Sequence, residues 1–347
     1  MKKLLFFLLI LIVASGALAA WLVMGPATGF DAKKEVLYIR TNAANKAAVL
    51  DSLRQNNIIK NEGAFNFLAD RMKYWANIKP GKYEIEKGSS LLNIVRKLRN
   101  GQQTPVNLTI TKIRTKEDLA RLIGRRMEVD SAQVLQYLNS DAFLKEHNVS
   151  AEEAMTLVLP DTYTYFWNAA PETIFEKLAD AAQKFWNEER KRKAEALGIT
   201  PVQAYIVASI VEEESNKLEE KDTIASVYLN RIRIGMPLQA DPTVKFALKD
   251  FALTRIYGEH LNVASPYNTY RNRGLPPGPI CTPSRQTIDE VLDAPQTDYI
   301  YFVANPKLNG THVFSSNYTE HMRKAKQYQQ AYREWAAARS AKATTTP

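Results

Sequence analysis

Cysteine is almost absent: Cys281 is the only one among 347 residues. No intramolecular disulfide can form, so stability must come from packing. A lone cysteine in such a chain reads as a small buried hydrophobe rather than a nucleophile. Histidine is nearly as scarce. His147, His260, His312 and His321 lie scattered along the chain, without the spacing of metal ligands, and nothing in the sequence asks for a metal or other cofactor. There is no Gly-x-Ser-x-Gly elbow, no phosphate-cradling glycine loop and no dinucleotide fingerprint. There is no internal repeat. Arginine-rich tracts interleaved with aromatics, zinc-finger spacing and RNP-like motifs are also missing, which sets nucleic acid aside as a partner. Neither charge sign dominates. The 46 Lys+Arg against 37 Asp+Glu leave a formal net charge of +9, which suits an anionic membrane surface or an acidic polymer. Hydrophobic residues make up 45% of the chain, enough at this length for one large core or two smaller ones, and this excludes a disordered protein.

Long apolar runs are rare too. The exception is Leu4 to Met24, which carries no charge and follows Lys2 and Lys3. It is long enough to span a bilayer. Ala17-Leu18-Ala19 resembles a small-residue cleavage site, but Trp21-Leu22-Val23-Met24 continues the apolar run beyond it, and signal-peptide cores are usually shorter. The expectation is an uncleaved anchor over 4–24, with residues 1–3 as a short cytoplasmic tail. Positive charge on the short side then places everything after Gly25 outside the cytoplasm, at the periplasmic face of the cytoplasmic (inner) membrane, in a single-pass arrangement.

Past the anchor the pattern is α+β. Glu35 to Arg40 reads as a strand, Asn42 to Gln55 and Asn61 to Tyr74 as helices, Pro80-Gly81 as a turn into another strand, Ser89 to Leu98 as a helix closed by Asn100-Gly101, and Val106 to Ile110 as a strand. Residues 35–110 therefore form a small β/α subdomain. Residues 111–199 are largely helical, a connecting region interrupted by the aromatic stretch Leu159 to Phe166, which reads as a packed loop. The charged segment Asn187 to Glu195 looks like a solvated helix surface at a subdomain boundary. Residues 200–337 hold the remaining elements: a helix from Thr200, another over Asp222 to Ile234 with Asp222 available as cap, a rigid loop Pro237 to Thr243, further loops at Pro266 to Tyr270 and Gly274 to Ile280, and strands at Tyr299 to Ala304 and Thr311 to Phe314. A polar, mobile tail is expected from Ala338, over 338–347.

The helix from Thr200 carries the most informative chemistry. Thr200 is placed to cap it, with Pro201 at the first position. Val202, Ile206, Val207, Ile210 and Val211 then define one broad apolar face, and the helix runs into Glu212-Glu213-Glu214. Glu214 falls near the centre of that face, Glu213 at its edge, and Glu212 on the opposite side with Tyr205 and Ala208. An acidic triplet is ordinarily the solvated end of a helix. Here it also opposes the macrodipole, and a carboxyl held in apolar surroundings keeps its proton towards neutral pH, as a general acid must. Asp241 offers a second carboxylate, the pairing used by glycoside hydrolases. Tyr267, Asn268, Thr269 and Tyr270 supply flat faces and hydrogen-bonding edges suited to sugar rings.

These segments resemble a known family. Ala208-Ser-Ile-Val-Glu-Glu-Glu-Ser215, Ala225-Ser-Val-Tyr-Leu-Asn-Arg231, Ile234-Gly-Met-Pro-Leu-Gln-Ala-Asp-Pro-Thr243, Tyr267-Asn-Thr-Tyr270 and Gly274-Leu-Pro-Pro-Gly-Pro-Ile280 are similar to the endolytic murein transglycosylases, the MltG or YceG-like family. The likeness extends through Tyr299 to Ala304 and His312 to Phe314, and more loosely to Pro160-Asp-Thr-Tyr163 and Pro80-Gly-Lys-Tyr83. The resemblance implies that Glu214 is the catalytic acid. It assigns Gln239, Asp241, Thr243, Tyr267, Asn268 and Thr269 to the cleft wall that binds substrate. It puts an additional charge, Glu213, beside the acid, where it would raise the Glu214 pKa, and it leaves Ser315 where some relatives carry Asn. It implies a LysM-like module from Pro80 to Ile110, a catalytic domain over 200–337, no cofactor, and as partners peptidoglycan glycan strands, the cytoplasmic membrane and the peptidoglycan synthases (penicillin-binding proteins). The implied reaction cuts nascent glycan between MurNAc and GlcNAc without water, leaves 1,6-anhydroMurNAc ends and terminates strand elongation. A lysozyme-type muramidase using Asp241 and water, and a non-catalytic glycan-binding scaffold, stay open at this point.

Overall fold

The computed structural model describes residues 2–344, with side chains through residue 339. The chain divides into two compact units, one of Met1–Leu108, Leu122–Ser131 and Tyr163–Pro171, the other of Thr109–Arg121, Ala132–Thr162 and Glu172–Pro347. The 111–199 stretch expected as a connecting region is thus shared between them.

In the first unit, α1 (Lys2–Met24) carries no charge after Lys2 and Lys3 and has no buried residue. Strand β1 (Lys34–Ile39) is separated by α2 (Lys46–Gln55) and α3 (Glu62–Arg71) from β2 (Gly81–Glu86), with which it pairs antiparallel, Leu37 opposite Tyr83. The helices start where the sequence offers caps: Asn45, Asn61 and, for α4 (Leu91–Asn100), Ser90 each accept a backbone N–H of the first turn. Gly101 ends α4 in the left-handed region at φ 67°, where a side chain would be strained. Leu37, Leu53, Phe65, Tyr83, Ile94 and Leu98 close the core of this unit. Strand β3 (Val106–Ile110) pairs with β4 (Asp161–Tyr165). The segment read as a packed loop is therefore a strand. Its alternation is plain once seen, with Tyr163 and Tyr165 buried and Asp161, Thr162 and Thr164 exposed; the density of aromatics masked it.

Five helices, α5 (Lys116–Arg126), α6 (Ser131–Leu138), α7 (Asp141–Glu146), α8 (Pro171–Phe185) and α9 (Glu188–Ala196), lead to the centre of the second unit. There lie α10 (Pro201–Glu214), α11 (Lys221–Arg233), α12 (Asp241–Leu248) and α13 (Arg285–Leu292), followed by the antiparallel hairpin of β5 (Tyr301–Ala304) and β6 (His312–Ser315) and by α14 (Tyr318–Thr344). Helix α10 begins in a full capping box, Thr200 with Gln203, and every residue from Ala204 to Val211 is buried. It is the axis of a core that includes Ile224, Tyr228, Leu238, Ile280, Ile288 and Val291. Cys281 is buried beside it, its thiol 3.4 Å from the Ser209 carbonyl.

Four expectations are corrected here. Helix α9 is no boundary: Arg190 forms a two-armed pair with Asp289 at 2.7 and 2.9 Å, and Ala194 is buried. Asp222 does not cap α11; the capping position is Glu220, which makes no side-chain capping bond. Asp241 opens a helix instead of sitting in a loop. Helix α14 runs through Ala338 to Thr344, where a mobile tail was expected, and residues 345–347 lie outside the described residues.

Candidate active site

Because α10 is buried on all sides, each member of the acidic triplet meets protein, and each is handled differently. Glu212, expected to face away, accepts from the Lys221 ammonium at 2.7 Å with side chains only 15% and 8% exposed, and the same lysine donates to Thr287 at 2.8 Å. This network ties α10 to α11 and α13. Glu213 pairs with Arg114 at 2.9 Å and Lys112 at 3.2 Å. Burial pushes its carboxyl up, but the Arg114 hydrogen bond and the two cations outweigh that and hold it below the usual value. A neutralised Glu213 does not press on its neighbour. The negative charge that does is Asp241.

Glu214 keeps part of its surface open while protein atoms crowd its carboxyl. Burial raises its pKa to about 7. The Tyr228 hydroxyl, donating to Oε1 at 2.6 Å, pulls the other way, Asp241 adds repulsion, and Lys245 and Arg231 draw the value down. Tyr228 itself is pushed well above its ordinary value, first by burial and then by Glu214, so it stays a donor. Arg231, one turn on from Tyr228 on the same face of α11, is buried and fixed by its own bonds to the carbonyls of Ile300 at 2.7 Å and Leu238 at 2.5 Å.

Around this carboxyl opens a cleft of about 350 Å3, lined by Glu214, Arg231, Gln239, Asp241, Tyr270, Tyr301, Phe302, Tyr318 and His321. The His321 ring stacks on Tyr301 at 5.1 Å, and the Tyr270 hydroxyl donates to Asp241 at 2.6 Å. Gln239 reaches the cleft from a left-handed backbone, φ 50°, an uncommon conformation for a residue with a Cβ. Its N–H donates to the Thr269 carbonyl at 3.1 Å, and the next N–H, of Ala240, to the Thr269 hydroxyl at 3.0 Å.

Of the residues that the resemblance assigned to the wall, the structure brings Gln239 and Asp241 to the cleft with Glu214. The others stand behind it. Thr243 and Thr269 are buried and bonded to each other at 2.8 Å, pinning the Gln239–Asp241 turn. Asn268 is buried, holding the carbonyls of Leu261 and Val263 at 2.9 Å each. Tyr267 packs its ring on Phe246 at 4.7 Å. Ser315 is fully buried. Short polar side chains in a tight turn satisfy backbone groups before they can reach a ligand, which is why the motif marks the place but not the wall. Sequence reasoning missed Tyr228, Arg231, Tyr301, Phe302, Tyr318 and His321. A signal existed for two of the pairs: Tyr228 with Arg231, and Tyr318 with His321, are polar-tipped residues at i,i+3 spacing within helical segments.

The geometry defines a class: a cleft lined by aromatic and polar side chains, with one carboxyl of raised pKa among them. Residues 37–327 match the YceG-like family, and the chain belongs to that family. It is 29% identical over 319 residues to a Bacillus subtilis (strain 168) protein named endolytic murein transglycosylase, covering 86% of each. A Streptococcus pneumoniae relative of the same name, from serotype 2 strain D39, is 24% identical over 323 residues, 84% of this chain and 58% of its own. The crystal structure of a YceG-like protein from Listeria monocytogenes has the same fold, with a TM-score of 0.56 at 27% identity over 84% of this chain and 99% of that one.

Proposed function

We propose that this chain is a membrane-anchored endolytic lytic transglycosylase that cuts peptidoglycan glycan between MurNAc and GlcNAc and leaves 1,6-anhydroMurNAc ends. The observation that carries this reading is the Glu214 carboxyl, poised at about 7 in an aromatic cleft. A group near neutrality can give a proton and take one back. Protonated Glu214 delivers its proton to the glycosidic oxygen as the bond to muramoyl C1 breaks. The resulting carboxylate then removes the proton from the C6 hydroxyl while O6 closes on C1. Both partners of ring closure belong to one sugar, so the effective concentration is large and no enzyme nucleophile is needed. Tyr228 and Arg231 favour the transient carboxylate. Asp241 and Gln239 position the sugar and shape the field.

The names of the Bacillus and pneumococcal relatives support the substrate and the reaction. Helix α1 serves as the anchor, with Lys2 and Lys3 on the cytoplasmic side and the catalytic unit on the outer face, where new strands emerge from penicillin-binding synthases. The LysM-like segment adds glycan grip through a polar groove of about 370 Å3, with Asn93, Arg96, Lys97, Asn100 and Gln102 among its lining.

Mass spectrometry of digested murein tests the reading. Wild-type protein should release products lighter by one water per cleaved end. Reducing ends instead would mean hydrolysis, with Asp241 activating water. Glu214→Gln should fold normally and release nothing. Wild-type product levels from it, or full rescue of cells lacking the protein, would remove Glu214 as the acid and favour a glycan-binding scaffold.

A further inference from the structure

A second cavity, of about 400 Å3, lies in the same unit as the cleft. It is lined on the hairpin side by Asn305, Thr311 and His312 and on the helix side by Tyr328, Tyr332 and Trp335. The same two elements wall both cavities. Strand β5 gives Tyr301 and Phe302 to the cleft and Ala304 to the second cavity, while α14 gives Tyr318 and His321 to the first and the three aromatics to the second. Phe302 and His312, one from each lining, meet edge to face at 5.2 Å, so a shared aromatic partition joins the two. At 1.5 Å rise per residue, α14 carries from His321 to Tyr332 over about 16 Å, a step on the scale of a short run of sugars.

The chemistry of the second cavity matches that of the first. Tyr328, Tyr332 and Trp335 follow one helix face at i,i+4 and i,i+3, with centroids 6.0 and 5.7 Å apart and planes inclined by 36° and 34°. They form a staircase of rings. Tyr332 and Trp335 remain 37% and 45% exposed, so the staircase is not core, and clustered exposed aromatics mark a binding surface. A polar edge faces them. Asn305 donates to Thr311 at 3.0 Å. His312 is held at Nδ1 by the Glu220 carboxylate at 2.9 Å, which fixes its ring at this edge of the cavity. At the rim, the Arg255 guanidinium stands 5.9 Å from the Tyr332 ring, a cation suited to carboxylates borne by a muropeptide chain. Stacking faces, hydrogen-bonding edges and a cationic rim together describe a site for an acidic amino-sugar polymer.

We infer that this cavity is a distal glycan subsite, holding the strand beyond the scissile bond and so favouring cleavage within long strands over short ones. The inference rests on the reading of the cleft as a murein-cutting site. Continuity of the staircase with the cleft through Phe302 and His312 favours the strand over a protein partner.

The test uses the full-length chain in detergent with Glu214→Gln, so that bound glycan stays intact. Peptide-free murein strands are titrated in one series and a GlcNAc–MurNAc disaccharide, too short to span both cavities, in another. Adding Y332A and W335A together should weaken strand binding at least about tenfold, the scale of a single lost aromatic contact, and leave disaccharide binding unchanged; Trp335→Phe with Tyr332 intact should keep strand binding. Equal loss for both probes would mean that the aromatics act through the fold, and undiminished strand binding would empty the subsite. Strand binding kept alongside lost self-association or lost synthase capture would hand the surface to a protein partner. Anhydro ends are measured separately on the protein with Glu214 intact. If they appear while the aromatic variant binds strands as tightly as before, the subsite falls alone. If they never appear while Trp335-dependent binding persists, the reaction falls and the subsite stands.

Discussion

At Glu214 the competing influences have opposite signs, so the proton can be moved in either direction by substitutions that leave the carboxyl in place. Donation needs the protonated form, and kcat/KM on soluble glycan should therefore fall as pH rises through about 7. Tyr228→Phe removes a donor that favours the ionised form and should shift this alkaline limb to higher pH. Asp241→Asn removes a repelling charge and should shift it lower. Movement of both limbs in one direction would show that the two residues act through something other than the Glu214 charge. The same pKa couples to stability. A carboxyl lifted from its ordinary 4.5 to about 7 on folding binds a proton in the native chain that the unfolded chain has released, so its contribution is intact at pH below 4.5 and is lost as pH rises through about 7. Glu214→Gln is neutral at every pH and keeps an acceptor for Tyr228. Its melting temperature should match wild type near pH 4 and exceed it at pH 8; a constant offset would mean that the carboxyl is not desolvated.

The two ends of α10 are secured by different means, and they differ in how far they could be read in advance. The N-terminal cap is local. Thr200, Pro201 and Gln203 are neighbours in sequence, and the capping box closes with bonds of 2.9 and 3.2 Å. At the Glu214 end, buried Glu220 accepts from the Ser215 hydroxyl at 2.6 Å, from the His312 N–H at 2.7 Å and from its ring at 2.9 Å. That clamp joins residues 92 apart, and no periodicity or propensity points across such a gap. The same limit explains the other misses. Helical spacing found Glu214 because the apolar face is a local pattern, but spacing alone could not tell that the opposite face, with Tyr205 and Glu212, is also covered by protein. Nor could it tell that Thr243 and Thr269 would turn inward to each other. The two ends should answer differently to mutation. Thr200→Ala should cost about 1 kcal/mol in chemical denaturation and leave kcat unchanged. Glu220→Ala strands buried donors, should cost roughly 3 kcal/mol, and should also lower kcat if the last turn of α10 carries the acid, as proposed for Glu214. A loss of kcat in Thr200→Ala would mean that general destabilisation, not positioning, governs the rate.

At the scale of the molecule, α1 is the feature that no enzymatic argument requires. From Leu4 on it is apolar on every face and none of its residues is buried in the protein, and this is the surface that the proposed anchoring would place in lipid. The chemistry at Glu214 depends only on residues of the second unit, which implies that anchoring affects where cleavage happens and not how fast. On the anchored reading proposed above, tethering would raise the effective concentration of the cleft at glycan near the membrane and lower it everywhere else. Replacing α1 with a cleavable export signal should therefore leave kcat/KM on purified murein unchanged. In cells lacking the native protein and expressing either form at equal abundance, the anchored chain should shorten glycan strands and the released chain should not, with strand length read by chromatography of peptide-free glycan. Intact mass of membrane-extracted protein completes the experiment. Retention of the Leu4 to Met24 segment is expected, and its removal after Ala19 or Ala20, or equal shortening by the released form, would reduce α1 to an export signal and leave the site of cleavage to be set by the glycan-binding surfaces alone.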